Sequence, residues 1–230
     1  MTTNPPPPPW TVVSVVESSY ALARDNFVAF FTAILVLGAP GLIANALGLG
    51  LLARVIELAC SVATAICITC ATLQAMAGHK PDMQSILKQL QRPRFGSLLL
   101  LGAIQYVAIA VSAILVIPPF FLLPLWAVTI PAMLVERTDI PGSFSRSADL
   151  TWHRRLPILG AFVLWFVIFI VAAVVIFFLI GHGGLLQHVV IWLFGAAAAT
   201  VIQPLAAIFY VLLRQEKEGA SLEQITAALD

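Results

Sequence analysis

Charge is scarce in this sequence. Only 10% of its 230 residues are Asp, Glu, Lys or Arg, while 60% are apolar. A water-soluble domain carries roughly 25% charged residues, so an ordinary aqueous surface is excluded for a chain of this size. The missing charges leave long gaps. Between Asp25 and Lys80 only Arg54 and Glu57 interrupt the apolar text, and 95–135 and 156–213 hold no charge at all. Each gap exceeds the 18 or so apolar residues that mark a bilayer span. Cysteine is also sparse. Cys60, Cys67 and Cys70 are odd in number and lie within one apolar stretch, which argues against a disulfide framework. A basic region followed by a short apolar core is missing from the start of the chain, so no cleavable signal peptide is expected. A net charge of +1 offers no field for nucleic acid.

What the sequence has is apolar length. About 20 helical residues cross a hydrocarbon core of roughly 30 Å. Dividing the gaps at Gly48–Glu57, at Pro118-Pro119 and at residues 181–184 predicts an all-α, six-helix transmembrane bundle. The predicted spans are 27–48, 56–77, 97–117, 120–136, 157–180 and 189–213. With six spans, Arg24, Lys80, Lys88, Arg92, Arg94, Arg137, Arg146, Arg154, Arg155, Arg214 and Lys217 share one side, and Arg54 alone lies opposite. The positive-inside rule then predicts that both termini are cytoplasmic.

The remaining segments read as attachments to that side. Residues 1–9 form a proline-rich spacer, and 10–25 an interfacial amphipathic helix with Trp10 and Tyr20 at headgroup depth. Met83, Ile86, Leu87 and Leu90 make a second amphipathic stripe, and Phe144, Ala148 and Trp152 a third. In the third, Arg146 and Asp149 stand at pairing distance. The 214–230 tail breaks at Gly219 and restarts on a capping box, Ser221 to Gln224, ahead of Leu222, Ile225 and Leu229.

Three segments carry a family resemblance: Trp126 to Glu136 (WAVTIPAMLVE), Ser143 to Thr151 followed by Arg154-Arg155, and Tyr210 to Gly219 (YVLLRQEKEG). Together with Arg24 to Phe27 they resemble the membrane domain of glycerophosphoryl diester phosphodiesterases and its stand-alone bacterial relatives. The resemblance implies a six-helix bacterial inner-membrane domain. It does not imply catalysis, because the 214–230 tail is too short for the soluble phosphodiesterase domain.

The residues themselves point the same way. Metal-assisted hydrolysis needs several carboxylates or histidines converging on one ion, whereas the eleven acids and four histidines are scattered. No phosphate loop, His-Glu-x-x-His or nucleophile elbow occurs. No enzymatic activity, cofactor or metal is therefore expected. Arg54 and Glu57 should pair, and Glu136 should be clamped by Arg146. Asn45, Gln74, Gln105 and Gln203 are polar groups at membrane depth, suited to bonds between helices. Gly195 with Ala196 to Ala199 suits a close helix contact, and the three cysteines read as small packing residues. Arg146, Trp152, His153, Arg154 and Arg155 form the candidate site for a lipid phosphate. The expected function is non-catalytic binding or organisation of anionic lipids, or of protein partners including a second copy. The alternative is transport or flipping of a lipid or small amphiphile through the proline-broken helices.

Overall fold

The computed structural model describes residues 10–91, 93–114, 117–180 and 185–227; the proline run, Arg92, the expected turn at 181–184 and Leu229 lie outside them. The described residues are predominantly helical, with no strand. Twelve α-helices follow in order: α1 (Val12–Asp25), α2 (Phe27–Ala46), α3 (Leu51–Met76), α4 (Met83–Lys88), α5 (Phe95–Ala113), α6 (Ile117–Leu125), α7 (Thr129–Glu136), α8 (Ile140–Thr151), α9 (Arg155–Ile180), α10 (Leu185–Ile202), α11 (Leu205–Glu218) and α12 (Leu222–Ala227).

Five helical stretches among the described residues are long and apolar enough to cross a bilayer: Phe27–Ala46, Leu51–Met76, Phe95–Ala113, Arg155–Leu179 and Val189–Glu218. The apolar stretch Phe120–Glu136 is shorter. It is also not one helix, which departs from the single span expected at 120–136. A proline ring collides with the carbonyl four residues back and leaves that carbonyl without its donor. Pro131 does this to Ala127, and the chain breaks between α6 and α7 at residues 126–128. Pro204 does the same to Thr200, so the sixth expected span divides into α10 and α11 at Gln203–Pro204. Pro118 and Pro119, expected to sit outside a helix, instead fall in the first turn of α6, where no donor is required.

Helix α3 is the centre of the molecule. It packs against α2, α5, α7 and α11 and buries an unbroken run from Ile66 to Leu73. Helix α9 is the opposite case: none of its most apolar stretch is buried. Phe166, Val167, Val171, Val174 and Phe178 face outward, a surface suited to hydrocarbon rather than water. At the α3–α5 crossing, a Cβ on Gly102 would lie 2.3 Å from Val62 Cγ1, so the two backbones meet closely because residue 102 has no side chain.

The short helices are held by their caps. Thr11 accepts from the Ser14 amide and starts α1, which buries Val15, Ser19 and Ala23 at a four-residue spacing against α9, α10 and α11. Asp82 caps α4 through the Ser85 amide at 2.7 Å, and that bond holds its carboxyl below the usual range. Ser221 and Gln224 exchange bonds at 3.0 and 3.2 Å before α12, and Ile225 is buried beneath it. Gly219 adopts φ 64° and ends α11 in the left-handed conformation that glycine takes without a Cβ penalty.

These attachments gather at one end of the bundle. Trp10 Nε1 donates to Glu216 at 2.9 Å, Arg94 Nη1 to the Arg137 carbonyl at 2.5 Å, and Lys217 Nζ to the Asp149 carbonyl at 2.6 Å. Four segments distant in sequence therefore form one basic rim, while Arg54 pairs with Glu57 at 2.9 Å beside the α2–α3 turn.

Candidate functional site at the basic rim

Helix α8 organises the rim. Asp139 caps it by accepting from the Gly142 amide at 3.0 Å, and its buried face is Ser143, Ser147, Leu150 and Thr151. The expected stripe of Phe144, Ala148 and Trp152 is not this buried face. Phe144 packs edge-on against Trp126 at 4.9 Å, but Trp152 is 61% exposed. The serines turn inward because the α6–α7 break needs them. Ser147 Oγ donates to the Leu125 carbonyl at 2.8 Å and accepts from the Val128 amide at 3.4 Å. Gln105 Nε2 donates to the Trp126 carbonyl at 3.0 Å. Backbone groups left open at the α6–α7 break are thus taken up by side chains, as a break in an apolar environment requires.

That register presents Arg146 to Glu136, the last residue of α7. Arg146 Nε lies 2.9 and 2.8 Å from the two Glu136 carboxylate oxygens, and Nη2 reaches Glu218 on α11. Tyr210 OH donates to Glu136 Oε1 at 2.9 Å. Arg214 closes the ring, with Nε 2.8 Å from Glu218, 4.0 Å from Glu136 and Nη1 3.3 Å from the Tyr210 hydroxyl. Two guanidiniums and two carboxylates balance, and the four side chains are only 19–30% exposed. Burial by itself would lower the Arg146 pKa, but its bonds to Glu218 and Glu136 raise it overall. The arrangement fixes α7, α8 and α11 in one geometry. Arg146 does not pair with Asp149, the partner that the i, i+3 spacing suggested.

Beside the clamp, Arg154 Nε lies 2.9 and 3.1 Å from the Glu216 oxygens and its guanidinium stands over Trp10 at 5.3 Å. Arg155 is placed differently. It stacks on Trp152 at 4.7 Å, its Nη2 reaches the Ala148 carbonyl at 3.5 Å, and its buried Nε has no hydrogen-bond partner. No carboxylate among the described residues forms an ion pair with Arg155 or His153. His153 is exposed beside Trp152, and Leu156 projects outward at 80% exposure. The five candidate lipid-binding residues thus divide into Arg146 and Arg154, which face protein carboxylates, and an exposed pair, Trp152 and His153, with the half-buried Arg155 stacked on Trp152.

The partners missed in the sequence were Tyr210, Arg214, Glu216 and Glu218, all brought in by α11 from more than 50 residues away. Their spacing along α11 gave the one available signal: positions 210, 214 and 218 share a helix face. Cys67 and Cys70 are buried and Cys60 half-buried. No group of three His, Cys, Asp or Glu among the described residues is placed to hold a metal ion. Comparisons with protein-family models, curated proteins and solved structures found no match.

Proposed function

We propose that the chain is a non-catalytic, multi-pass protein of a bacterial inner membrane that holds anionic lipid at its cytoplasmic rim. In this reading the broken stretches α6–α7 and α10–α11 count as crossings. The bundle then crosses six times, and both ends lie on the cytoplasmic side with α1, α4, α8 and α12 as interfacial helices. The support is the gathering of the basic segments at one end of the helices, opposite Arg54. The resemblance to the membrane domain of glycerophosphoryl diester phosphodiesterases agrees with it and lends a fold rather than an activity.

One observation carries the lipid assignment: Arg155 stacks on the exposed Trp152 beside the exposed His153 without a carboxylate, while neighbouring arginines are taken by Glu136, Glu216 and Glu218. An indole at headgroup depth beside a cation without a carboxylate suits a lipid phosphate. Native mass spectrometry of the protein released from vesicles containing phosphatidylglycerol and phosphatidylcholine tests this. Phosphatidylglycerol is expected to stay bound preferentially. Arg155→Ala should weaken its retention about fivefold, the equivalent of about 1 kcal/mol for one basic residue at an anionic surface. Arg54→Ala should leave it unchanged. Equal retention of the two lipids, or retention indifferent to Arg155→Ala and Trp152→Ala, would overturn the assignment.

A further inference from the structure

Away from the rim, α2 packs on α3 and on α10, but a gap remains where the three helices meet. Between them lies a cavity of about 370 Å³, within the roughly 300–1,000 Å³ range of small-molecule sites. Its walls follow helical periodicity. Gly38, Gly41 and Asn45 come from α2, Glu57, Ser61 and Thr64 from α3, and Gly195, Ala199 and Gln203 from the end of α10 and its break. Gly41 lets α2 approach α3, since a Cβ there would lie 3.1 Å from Glu57 Cα, whereas Gly38 and Gly195 leave space: a Cβ on either would meet nothing within 4 Å. The close contact expected at Gly195 to Ala199 is therefore not made at Gly195.

The polar wall has a definite sense. Ser61 Oγ donates to the Glu57 carbonyl at 2.9 Å, and Thr64 Oγ1 to the Cys60 carbonyl at 2.7 Å. Their protons are committed to their own helix, and each oxygen keeps lone pairs to offer. Gln203 Oε1 is buried without any donor, a deficit that costs about 1–3 kcal/mol in a protein interior. Glu57 supplies a carboxylate whose Oε2 is held by Arg54 at 2.9 Å. The wall thus offers acceptors at Ser61, Thr64, Gln203 and Glu57, beside the donors of Asn45, Tyr106 and Trp192, and the two aromatic residues favour a cation where it meets a ring face.

We propose that this cavity binds a membrane amphiphile through a hydrogen-bond-donating head, a primary ammonium in preference to a hydroxyl, with its chain toward the lipid. A carboxylate or phosphate head brings no proton to the Ser61, Thr64, Gln203 and Glu57 acceptors and binds more weakly. The assignment is independent of the lipid contact at Trp152 and Arg155, from which it differs in residues and in the sign of the head it takes.

The test uses the full-length protein in a non-ionic detergent, with dodecylamine, dodecanol and dodecanoate compared by binding-induced shifts in melting temperature and by native mass spectrometry. Dodecylamine should bind most tightly, dodecanol more weakly, and dodecanoate at least tenfold more weakly than the amine. Gly195→Leu fills the space from α10 and Gly38→Leu fills it from α2, so a folding defect in one leaves the other to report. Either should cut amine binding at least tenfold while phosphatidylglycerol retention stays at the wild-type level. Gln203→Leu removes the lone acceptor and should weaken the amine several-fold. Three results would overturn the proposal: no amine binding, dodecanoate binding as tightly as dodecylamine, or amine binding that survives both cavity-filling substitutions. If the two glycine variants melt higher than wild type and no amphiphile binds, the space is a packing defect.

Discussion

Glu136→Ala is expected to lower stability by about 2–4 kcal/mol, the largest loss from any single charged residue of the rim. Breaking a buried ion pair typically costs about 3–5 kcal/mol because the partner is left uncompensated; the clamp's partial exposure lowers that figure. The carboxylate serves Arg146 at 2.8 Å, Tyr210 at 2.9 Å and Arg214 at 4.0 Å. Without it two guanidiniums face Glu218 alone, and the joint between α7, α8 and α11 loses its centre. Glu136→Gln keeps the shape and one acceptor and should cost less. Arg54→Ala breaks an exposed pair at the other end and should cost about 0–1 kcal/mol, as surface pairs do. Thermal unfolding in detergent checks the series. If Glu136→Ala melts where Arg54→Ala does, the clamp is not what holds the rim to the bundle.

Gly102→Ala is expected to be the next most damaging change, by about 1–3 kcal/mol, although alanine is the better helix former. Its Cβ would lie 2.3 Å from Val62 Cγ1. Val62 is fully buried, and its branched side chain has little freedom at χ1. Relief therefore requires α3 and α5 to separate at the centre of the molecule. Val62→Ala should restore most of the loss in the double variant, even though alone it removes packing. Gly96→Ala, where the new methyl meets nothing within 4 Å, is the control and should be near neutral. Equal melting of the Gly102 and Gly96 variants in the same detergent would show that α3 and α5 do not approach this closely.

Apolar length located the long helices well. The expected spans 27–48, 56–77 and 157–180 lie within a few residues of α2, α3 and α9, because a run of that length has one stable form in an apolar setting. The breaks were harder. Pro118-Pro119 did mark a division, since α5 ends at Ala113 and α6 begins at Ile117. The further divisions just before Pro131 and at Pro204 were not foreseen. The buried face of α8 was not foreseen: the apolar stripe of Phe144, Ala148 and Trp152 drew attention, while Ser147 serves the broken backbone at Leu125 and Val128. Glu136 and Arg146 were legible as partners because ten residues and one turn separate them. Tyr210, Arg214 and Glu218 were not, since their approach depends on how α11 folds back after Pro204.

Cysteine labelling from each side of the membrane tests the six crossings most directly. Single cysteines replace Leu49, Lys80, His153 and Glu223, all exposed, in a background with Cys60, Cys67 and Cys70 changed to serine or alanine. Vesicles of known orientation are treated with a membrane-impermeant maleimide. Positions 80, 153 and 223 are predicted to label only from the cytoplasmic face, and position 49 only from the opposite face. Labelling of 80 and 153 from different sides would contradict six crossings, because it would mean that α5 and the broken α6–α7 stretch do not cross as a pair.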